Sequence, residues 1–323
     1  MSQATLRDIV VGYASDAAPI MDDLERESGI IRTATAVPAS NNLWHKYKKL
    51  KALPTVAVIK LDGETTPQSS DFTVEQSDLS LFVAHQSEPA RIAENYPGGV
   101  RAYFENERPG FSEAFGQMIS TQAVYGNYTA FAGSLSGFPG FHQIARDSQN
   151  IVARMAGDTG SRTSIFAVKW KPTAMALLVN PLMAANGKLM KVRVLNNGQP
   201  VLMTTNTTTH AQQLVYQVIY ELMLGMFSAT DLTVSAITQI QDATSDKPTA
   251  SNMDKLVDQI KGNSTNTVIY CNRTSKRLLG ELKDSKLTTL VTDKVYSTTV
   301  DFWNGIPLIV DDNILDTETT ALD

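Results

Sequence analysis

The sequence of 323 residues has a single cysteine and no long apolar run, and each absence excludes a class of protein. One cysteine, Cys271, cannot form a disulfide within the chain, which excludes a disulfide-rich scaffold. The longest apolar stretch, residues 214–227, is interrupted by Gln217 and Glu221, so we predict no membrane-spanning helix. The first residues lack the basic and then apolar pattern of a secretion signal, and we expect the chain to fold in the cytosol.

The chain also lacks an excess of positive charge. It has 28 Lys and Arg residues against 33 Asp and Glu residues, a formal net charge of −5. Proteins that bind nucleic acid by neutralising phosphates are usually basic, so we expect nucleic acid near this protein to be enclosed rather than gripped. The one basic run contains four lysines within residues 46–51. It fits contact with phosphates, a solvated face or ion pairs with acidic neighbours, and these alternatives stay open.

No catalytic or metal-binding motif is present. The four histidines lie far apart, without a second His or Cys at metal-ligand spacing. Cys271 falls in a predicted buried strand, whereas a nucleophile needs an exposed, electropositive setting. The glycine-rich stretches 133–140 and 157–160 lack the phosphate-binding patterns, and the acidic residues of 311–318 lack calcium-loop spacing and are expected to be solvated. We therefore predict no enzymatic activity, no cofactor and no metal.

The sequence does contain a clear pair of strand-like runs. Residues 55–61 and 72–84 alternate apolar and polar side chains, and they flank a polar tip that is rich in turn-forming residues. We predict a long two-stranded arm. Because an isolated hairpin is marginal in water, this arm must pack on its own domain or on a neighbour. Residues 29–42, just before it, predict an extended segment without a core of its own.

Helix and strand signals alternate along the rest of the chain. Apolar residues at Phe111, Phe115, Met118 and Ile119 predict a helix over 109–125, ended by Gly126 in a left-handed cap. A polar stretch at 241–250 marks a candidate boundary, after which Ser251 begins a further helix. Strands are predicted at 164–170, 174–180, 189–195, 201–204, 212–227, 232–240, 267–271 and 306–310, and another helix at 274–282. Periodicity alone leaves 212–227 between strand and helix, and we favour a strand.

Several short stretches, taken in order, resemble the major capsid proteins of tailed phages with the Hong Kong 97-type fold, in the branch found in short-tailed phages. They cover nearly the whole chain and are NLWHKY (42–47), LPTVAV (53–58), VYGN (124–127), GFPGF (137–141), TSIFAVKW (163–170) and GIPLIVDD (305–312).

The resemblance implies an α+β capsid fold with four parts. These are an N-arm at 1–46, an E-loop β-arm at 47–86, a peripheral domain at 87–245 with a spine helix at about 109–125, and an axial domain with the C-terminal strand at 246–323. In the commonest version of this fold the axial unit follows the spine helix directly. Here a strand-rich block precedes that unit, so we expect a permuted element order.

The resemblance also implies a function. The chain would self-assemble into hexamers and pentamers of an icosahedral shell that encloses double-stranded DNA without sequence-specific binding. Its partners would be other copies, portal and scaffolding proteins and a decoration protein, without any membrane, and its location would be the virion after assembly in the host cytoplasm. An encapsulin-like compartment shell and a soluble α+β enzyme without a recognisable motif remain alternatives.

Six residues are candidates for contacts between subunits, with E-loops overlapping the spine helix of the neighbour. They are Trp44, Lys60, Asp62, Glu64, Phe111 and Phe115. Packing within the chain's own core is an open alternative for the three aromatic residues, and solvation is the alternative for the three charged ones.

Overall fold

A computed structural model of the chain describes Leu24 and residues 28–56, 58–59, 64, 66–127, 135–157, 161–182, 190–206, 211–243, 245–282, 287–291 and 299–318. The helices of this part are α1 (Gly29–Thr33), α2 (Ala90–Glu94), α3 (Gly99–Tyr125), α4 (Phe141–Asp147), α5 (Ala250–Gln259) and α6 (Arg273–Glu281). The strands are β1 (Ala36–Pro38), β2 (Trp44–Ala52), β3 (Asp71–Asp78), β4 (Ser80–Pro89), β5 (Ile151–Arg154), β6 (Thr163–Lys169), β7 (Met175–Val179), β8 (Met190–Val194), β9 (Val201–Asn206), β10 (Ala211–Ser228), β11 (Val234–Ile240), β12 (Thr267–Cys271), β13 (Leu287–Val291), β14 (Thr299–Trp303) and β15 (Ile306–Val310).

A seven-stranded sheet with the order β13-β14-β15-β12-β6-β11-β5 is covered by helices on both faces. Successive side chains of β6 point to opposite faces. Ile165 and Ala167 pack in one core with residues of α5 and α6. Phe166 and Val168 pack in the other core, with α1, α3 and α4. Double coverage explains why β6 and β12 are buried along their length and read as nearly continuous apolar runs.

A six-stranded sheet is built around β10, which is 18 residues long. Strand β4 pairs along one edge of β10, whereas β9, β8 and β7 pair one after another along its other edge. Alternate residues such as Val218, Tyr220 and Leu222 are buried, and Tyr220 stacks on Phe111 of α3 with ring centroids 4.7 Å apart. The strand predicted at 212–227 is therefore confirmed.

The long helix α3 begins well before its predicted start at residue 109. Pro109 lies inside it, although an interior proline removes a hydrogen bond and costs about 3 kcal/mol. Pro109 is exposed, and the half of the helix that follows it is anchored in the core by Phe115 and Ile119. The predicted end at residue 125 is confirmed, but Gly126 has φ −57° and is not left-handed. Glycine is needed there because a Cβ would lie 2.4 Å from two backbone carbonyl oxygens.

The hairpin consists of β2 and β3 rather than of the two predicted runs. Its strands pair from Trp44 opposite Asp78 to Ala52 opposite Asp71. The described residues of the predicted strand 55–61 are not in a strand, because Pro54 lacks an N–H and β2 ends before it. The second run, 72–84, divides at Leu79 into β3 and β4, and β4 belongs to the six-stranded sheet.

The segment that follows residue 28 packs on its own chain, so the prediction of an extended segment without a core was wrong there. The Ser28 hydroxyl caps α1 by accepting a hydrogen bond from the backbone N–H of Ile31 at 3.0 Å. Ile30 and Ile31 are fully buried in the main core, and β1 lies parallel to β7. Before residue 28 the structure describes only Leu24.

The two helices that follow the predicted boundary are both capped by polar side chains. Thr249 caps α5 by accepting a hydrogen bond from the N–H of Asn252 at 3.2 Å, so the prediction of Ser251 at this position was wrong. Asn272 caps α6 by accepting a bond from the N–H of Ser275 at 2.8 Å. Strands β5, β6 and β11, from before residue 245, share one sheet with β12 to β15. The sheets therefore do not separate the two predicted domains, and the border at residue 245 stays a prediction.

Candidate functional site

The inner face of the β2–β3 hairpin packs against the rest of the protein. The ammonium group of Lys49 lies 2.8 Å from a carboxylate oxygen of Asp231. The Ser77 hydroxyl donates a hydrogen bond to the carbonyl oxygen of Met226 at 2.7 Å, and the Tyr47 ring lies 5.1 Å from that of Phe227. Lys49, one of the four lysines of the basic run, therefore forms an ion pair with an acidic neighbour, which was one of the three alternatives left open.

The outer hairpin face, defined by Leu50, Phe72 and Val74, is apolar and exposed. These side chains are 39%, 53% and 62% accessible to solvent. Leu50 pairs with Phe72 and Lys48 with Val74 across the two strands, which places apolar groups beside a lysine. Contiguous apolar surface of this kind marks an interaction site on a soluble protein.

The described apolar residues that follow β2 extend the apolar surface of the hairpin. The accessible fraction is 77% for Leu53, 90% for Val56 and 103% for Val58, so these side chains make almost no contact with their own chain. Glu64 is also exposed, and it has no ion-pair partner within the described residues. Two predicted interface residues, Lys60 and Asp62, lie outside the described part of the chain.

The predicted aromatic interface residues lie mainly against their own chain. Phe115 is buried in the main core, and Phe111 packs against it through the stacked ring of Tyr220. For these two residues, packing within the chain is the geometry observed. Trp44 is half-buried in β2, with the ammonium group of Lys46 4.9 Å from its ring centroid, and its role at an interface stays a prediction.

A second candidate surface is the spine groove, which lies between the first half of α3 and strands β8 and β10. It has a volume of about 480 Å³. Its apolar lining comes from Val100 and Phe104 on the helix and from Val192, Val194 and Tyr220 on the sheet. Val192 and Val194 are 45% and 58% exposed. Sequence reasoning missed this groove, because it requires that α3 begin before Pro109.

Two arginines of α3 reach the spine groove, and they differ in their partners. The Arg101 side chain forms an ion pair with Glu105, with 2.8 Å between nitrogen and oxygen. Arg108 is half-buried and makes no hydrogen bond or ion pair within the described residues. Its positive charge opposes the rise in the pKa of Tyr220 that burial causes, which places the charge near that phenol. The groove is thus apolar with one unneutralised cation.

The acidic segment 311–318 is not solvated as predicted, since two of its carboxylates are buried. Asp311 is 2% exposed, and its carboxylate accepts hydrogen bonds from the backbone N–H of Ile30 at 3.2 Å and from the Ser120 hydroxyl at 3.1 Å. Asp312 remains exposed and pairs with Arg273 at 2.8 Å. Burial of a carboxylate is tolerated here because donors surround it.

Glu318 is the second buried carboxylate, and it joins three elements. It accepts hydrogen bonds from the Tyr125 hydroxyl at 2.8 Å and from the Ser164 hydroxyl at 2.7 Å, and it lies 3.2 Å from Nε2 of His142. Burial, followed by the charge of Glu318, raises the pKa of Tyr125 well above its usual value. All four side chains of this cluster are buried, and their hydrogen bonds fix α3, α4 and β6 together.

The remaining candidates for chemistry are equally enclosed or dispersed. Burial raises the pKa of the Cys271 thiol to about 12, so the thiolate is not available near neutral pH. Across the described residues, no three His, Cys, Asp or Glu side chains are grouped closely enough to hold a metal ion. None of the helices in the described ranges is both long and apolar enough to span a bilayer.

Comparison with solved structures shows the fold. A chain in the structure of bacteriophage epsilon15 superimposes with a TM-score of 0.59 at 16% identity, covering 90% of this chain and 88% of that one. A chain of the bacteriophage JBD30 capsid gives a TM-score of 0.51 at 10% identity, covering 89% and 91%. The SrpI encapsulin of Synechococcus elongatus gives 0.40 at 13% identity, covering 66% and 87%, which is too remote to support the compartment-shell alternative. The fold is therefore the α+β, Hong Kong 97-type capsid fold.

Comparison of sequences identifies the family. No curated protein sequence matches the chain. A family-level sequence model described as major capsid protein GP7 matches residues 13–321, almost the entire length. This match agrees with the capsid fold and with the enclosed, motif-free interior described above. The chain belongs to the major capsid protein GP7 family, and its role is that of a structural component of the virion rather than of an enzyme.

Proposed function

We propose that identical copies of this chain form hexamers and pentamers and that these close into an icosahedral shell around double-stranded DNA. The observation that carries the proposal is the outer hairpin face, where Leu50, Phe72 and Val74 are exposed together. Burying such a side chain against a neighbour contributes about 1–2 kcal/mol. Head-to-tail contacts related by rotation close into rings, so one such surface on each copy suffices.

The roles of the four parts of the chain are proposed from the resemblance. Residues 1–46 act as the N-arm, 47–86 as the E-loop, 87–245 as the peripheral domain and 246–323 as the axial domain. The E-loop reaches over the spine helix of the adjacent copy. Each contact is weak alone, and many simultaneous contacts in a closed shell make the whole stable.

The partners outside the shell are proposed on the same basis. Portal and scaffolding proteins, and a decoration protein, bind during assembly in the host cytoplasm. DNA is enclosed without sequence-specific contacts, in agreement with the net charge of −5. Of the predicted contact residues, Trp44, Lys60, Asp62 and Glu64 remain the candidates near the E-loop, and Phe111 and Phe115 support the helix that the loop covers.

Electron microscopy and sedimentation of the purified protein test this proposal. We expect closed shells, or rings of five and six subunits, to form at micromolar concentration. Dissociated shells should form again when the dissociating salt or pH is removed. A protein that stays monomeric at high concentration, with or without a scaffolding protein, would contradict the proposal.

A further inference from the structure

The spine groove has the size and the lining of a small-molecule site. Its volume of about 480 Å³ lies within the usual range of about 300–1,000 Å³ for ligand pockets. The lining of Val100 and Phe104 on α3 and of Val192 and Val194 on β8 is apolar. We propose that this groove binds a free carboxylate with a linear aliphatic chain and that Arg108 binds its carboxylate group. This ligand site is separate from the proposed shell function and goes beyond it.

Two contacts between α3 and the six-stranded sheet mark the course of the groove. The Tyr103 hydroxyl donates a hydrogen bond to the carboxylate of Glu88 at 3.0 Å, and Glu88 pairs with Tyr216 of β10. Further along both elements, Phe111 stacks on Tyr220. Helix and strand therefore run in the same direction, and the groove follows both.

The two ends of the groove differ in charge. Burial raises the pKa of Tyr220 and the positive charge of Arg108 opposes this rise, which places Arg108 near the phenol. Val194 pairs with Val218, two residues before Tyr220 on β10, so it lies toward the other end, as Val100 does on α3. From residue 103 to residue 111 a helix rises about 12 Å. An extended chain of about eight to twelve carbons, with bonds of about 1.5 Å, covers a similar distance.

Arg108 is a polar side chain of the groove that lacks a partner in the described part of the chain. It is half-buried and makes no hydrogen bond or ion pair there. Other polar side chains of the groove are satisfied, in the pairs Arg101–Glu105, Tyr216–Glu94 and Tyr220–Gln86. The charge of Glu107 also reaches the Tyr220 phenol, but Glu107 does not line the groove. The lining thus carries one net positive charge.

One positive charge beside an apolar surface selects a ligand with one negative charge. A neutral apolar ligand would remove water from Arg108 and leave the cation unpaired, which is costly. A carboxylate instead accepts two parallel, charge-assisted hydrogen bonds from an arginine. A second charge on the ligand would lie against the valines of the apolar end. The groove should therefore prefer a monocarboxylate to an alcohol, an amine or a dicarboxylate of the same length.

Calorimetric titration of the dissociated subunit, with ligands below their micelle-forming concentrations, tests this preference. We expect decanoate to bind with a Kd of about 10–100 μM. Decanol, decylamine and decanedioate should each bind at least tenfold more weakly. From hexanoate to decanoate, each added methylene should tighten binding about twofold to fourfold. The gain should stop once the chain is longer than the groove. These measurements use the wild-type chain and do not depend on the folding of a variant.

Variants locate the ligand within the groove. Arg108→Gln, which removes the charge, should weaken decanoate binding at least tenfold and leave decanol binding unchanged. Val194→Asp should weaken the binding of both, because it places a carboxylate against the aliphatic chain, and Val194 is exposed enough for the subunit to fold. Arg91→Gln is the matched control, since Arg91 is exposed on α2 outside the groove, and it should bind decanoate as the wild type does. Circular dichroism checks that each variant is folded.

Equal affinities for decanoate and decanol, or unchanged decanoate binding by Arg108→Gln, would overturn the proposal. Absence of decanoate binding to the wild type would overturn it too. Slower hydrogen exchange of residues 190–194 in shells than in the dissociated subunit would then assign the groove to contacts between copies. None of these results would contradict the proposed shell, which is tested by assembly alone.

Discussion

The carboxylate of Asp311 lies 3.2 Å from the backbone nitrogen of Ile30, although the two residues are 281 positions apart in the chain. The same oxygen accepts a hydrogen bond from Ser120 of the long helix, and the hydroxyl of Ser120 is also hydrogen-bonded to Ser28. One buried charge thus joins the start of α1, the long helix α3 and the segment after β15. Because the buried N–H of Ile30 would lose its acceptor without it, this carboxylate stabilises the three junctions together.

Asp311→Ala should lower the free energy of unfolding by about 2–4 kcal/mol, because it leaves buried donors without an acceptor. Asp311→Asn, which keeps one acceptor oxygen, should lower it by less. Urea denaturation of the dissociated subunit measures both. The neighbouring Asp312→Ala is the control, and it should cost less than about 1 kcal/mol because its ion pair is exposed. Equal effects at residues 311 and 312 would contradict the buried role.

Gly29→Ala should also be destabilising, by about 1–3 kcal/mol, because a Cβ at this position would lie 2.6 Å from a methyl carbon of Ile309 and 3.0 Å from the carbonyl oxygen of Val310. Gly280→Ala provides the comparison. Gly280 lies in α6 with nothing within 4 Å of its added Cβ, so alanine should raise stability by about 0.5–1 kcal/mol. Thermal unfolding of the two variants should shift in opposite directions, and a neutral Gly29 variant would contradict the close contact.

Local periodicity predicted much of this fold but not its long-range contacts. Strand β10 was predicted from its alternating apolar residues, and β6, β12 and β15 were predicted from short apolar runs, because both patterns are local in the sequence. The lysine-rich β2 was missed, since its inner-facing Tyr47 and Lys49 acquire partners only when the body is in place. The start of α3 was predicted too late, at Pro109. The core contacts that offset the cost of a proline inside a helix lie far away in the sequence.

The candidate surfaces were likewise predicted only in part from the sequence. The alternating runs predicted a two-stranded hairpin in this region, and a hairpin is present, although its strand bounds were wrong. Arg108 and the spine groove carried no sequence signal, because a groove between a helix and an edge strand exists only in the folded chain. Asp311 and Glu318 were predicted to be solvated, since four acidic residues close together resemble a surface segment until their hydrogen-bond donors are known.

The Cys271 thiol should not react with maleimide or aromatic disulfide reagents at pH 8 in the folded protein. It is fully buried, and burial raises its pKa to about 12, so only a minute fraction is thiolate at that pH. In denaturant the thiol regains an ordinary pKa near 8.5 and should react within minutes. Mass spectrometry of labelled protein distinguishes the two states, and stoichiometric labelling of the native subunit would contradict the burial.

The outer hairpin face can be tested independently of the spine groove. Phe72→Ser should reduce shell yield several-fold while it changes the free energy of subunit unfolding by less than about 0.5 kcal/mol, because the side chain is exposed in the single chain. Phe72→Leu keeps the apolar character and should assemble normally. Sedimentation gives the yield and urea denaturation gives the stability. Loss of stability without loss of assembly would place Phe72 in the chain's own core instead.

The position of β15 also affects when a newly synthesised chain can complete its fold. This strand lies between β14 and β12 in the seven-stranded sheet, and Asp311 and Glu318 follow it. The ribosome makes them after every other element described, so until translation has passed residue 318 the sheet lacks an interior strand and the main core lacks the hydrogen bonds of these two carboxylates. We therefore expect a chain that stops before β15 to fold incompletely and to assemble poorly.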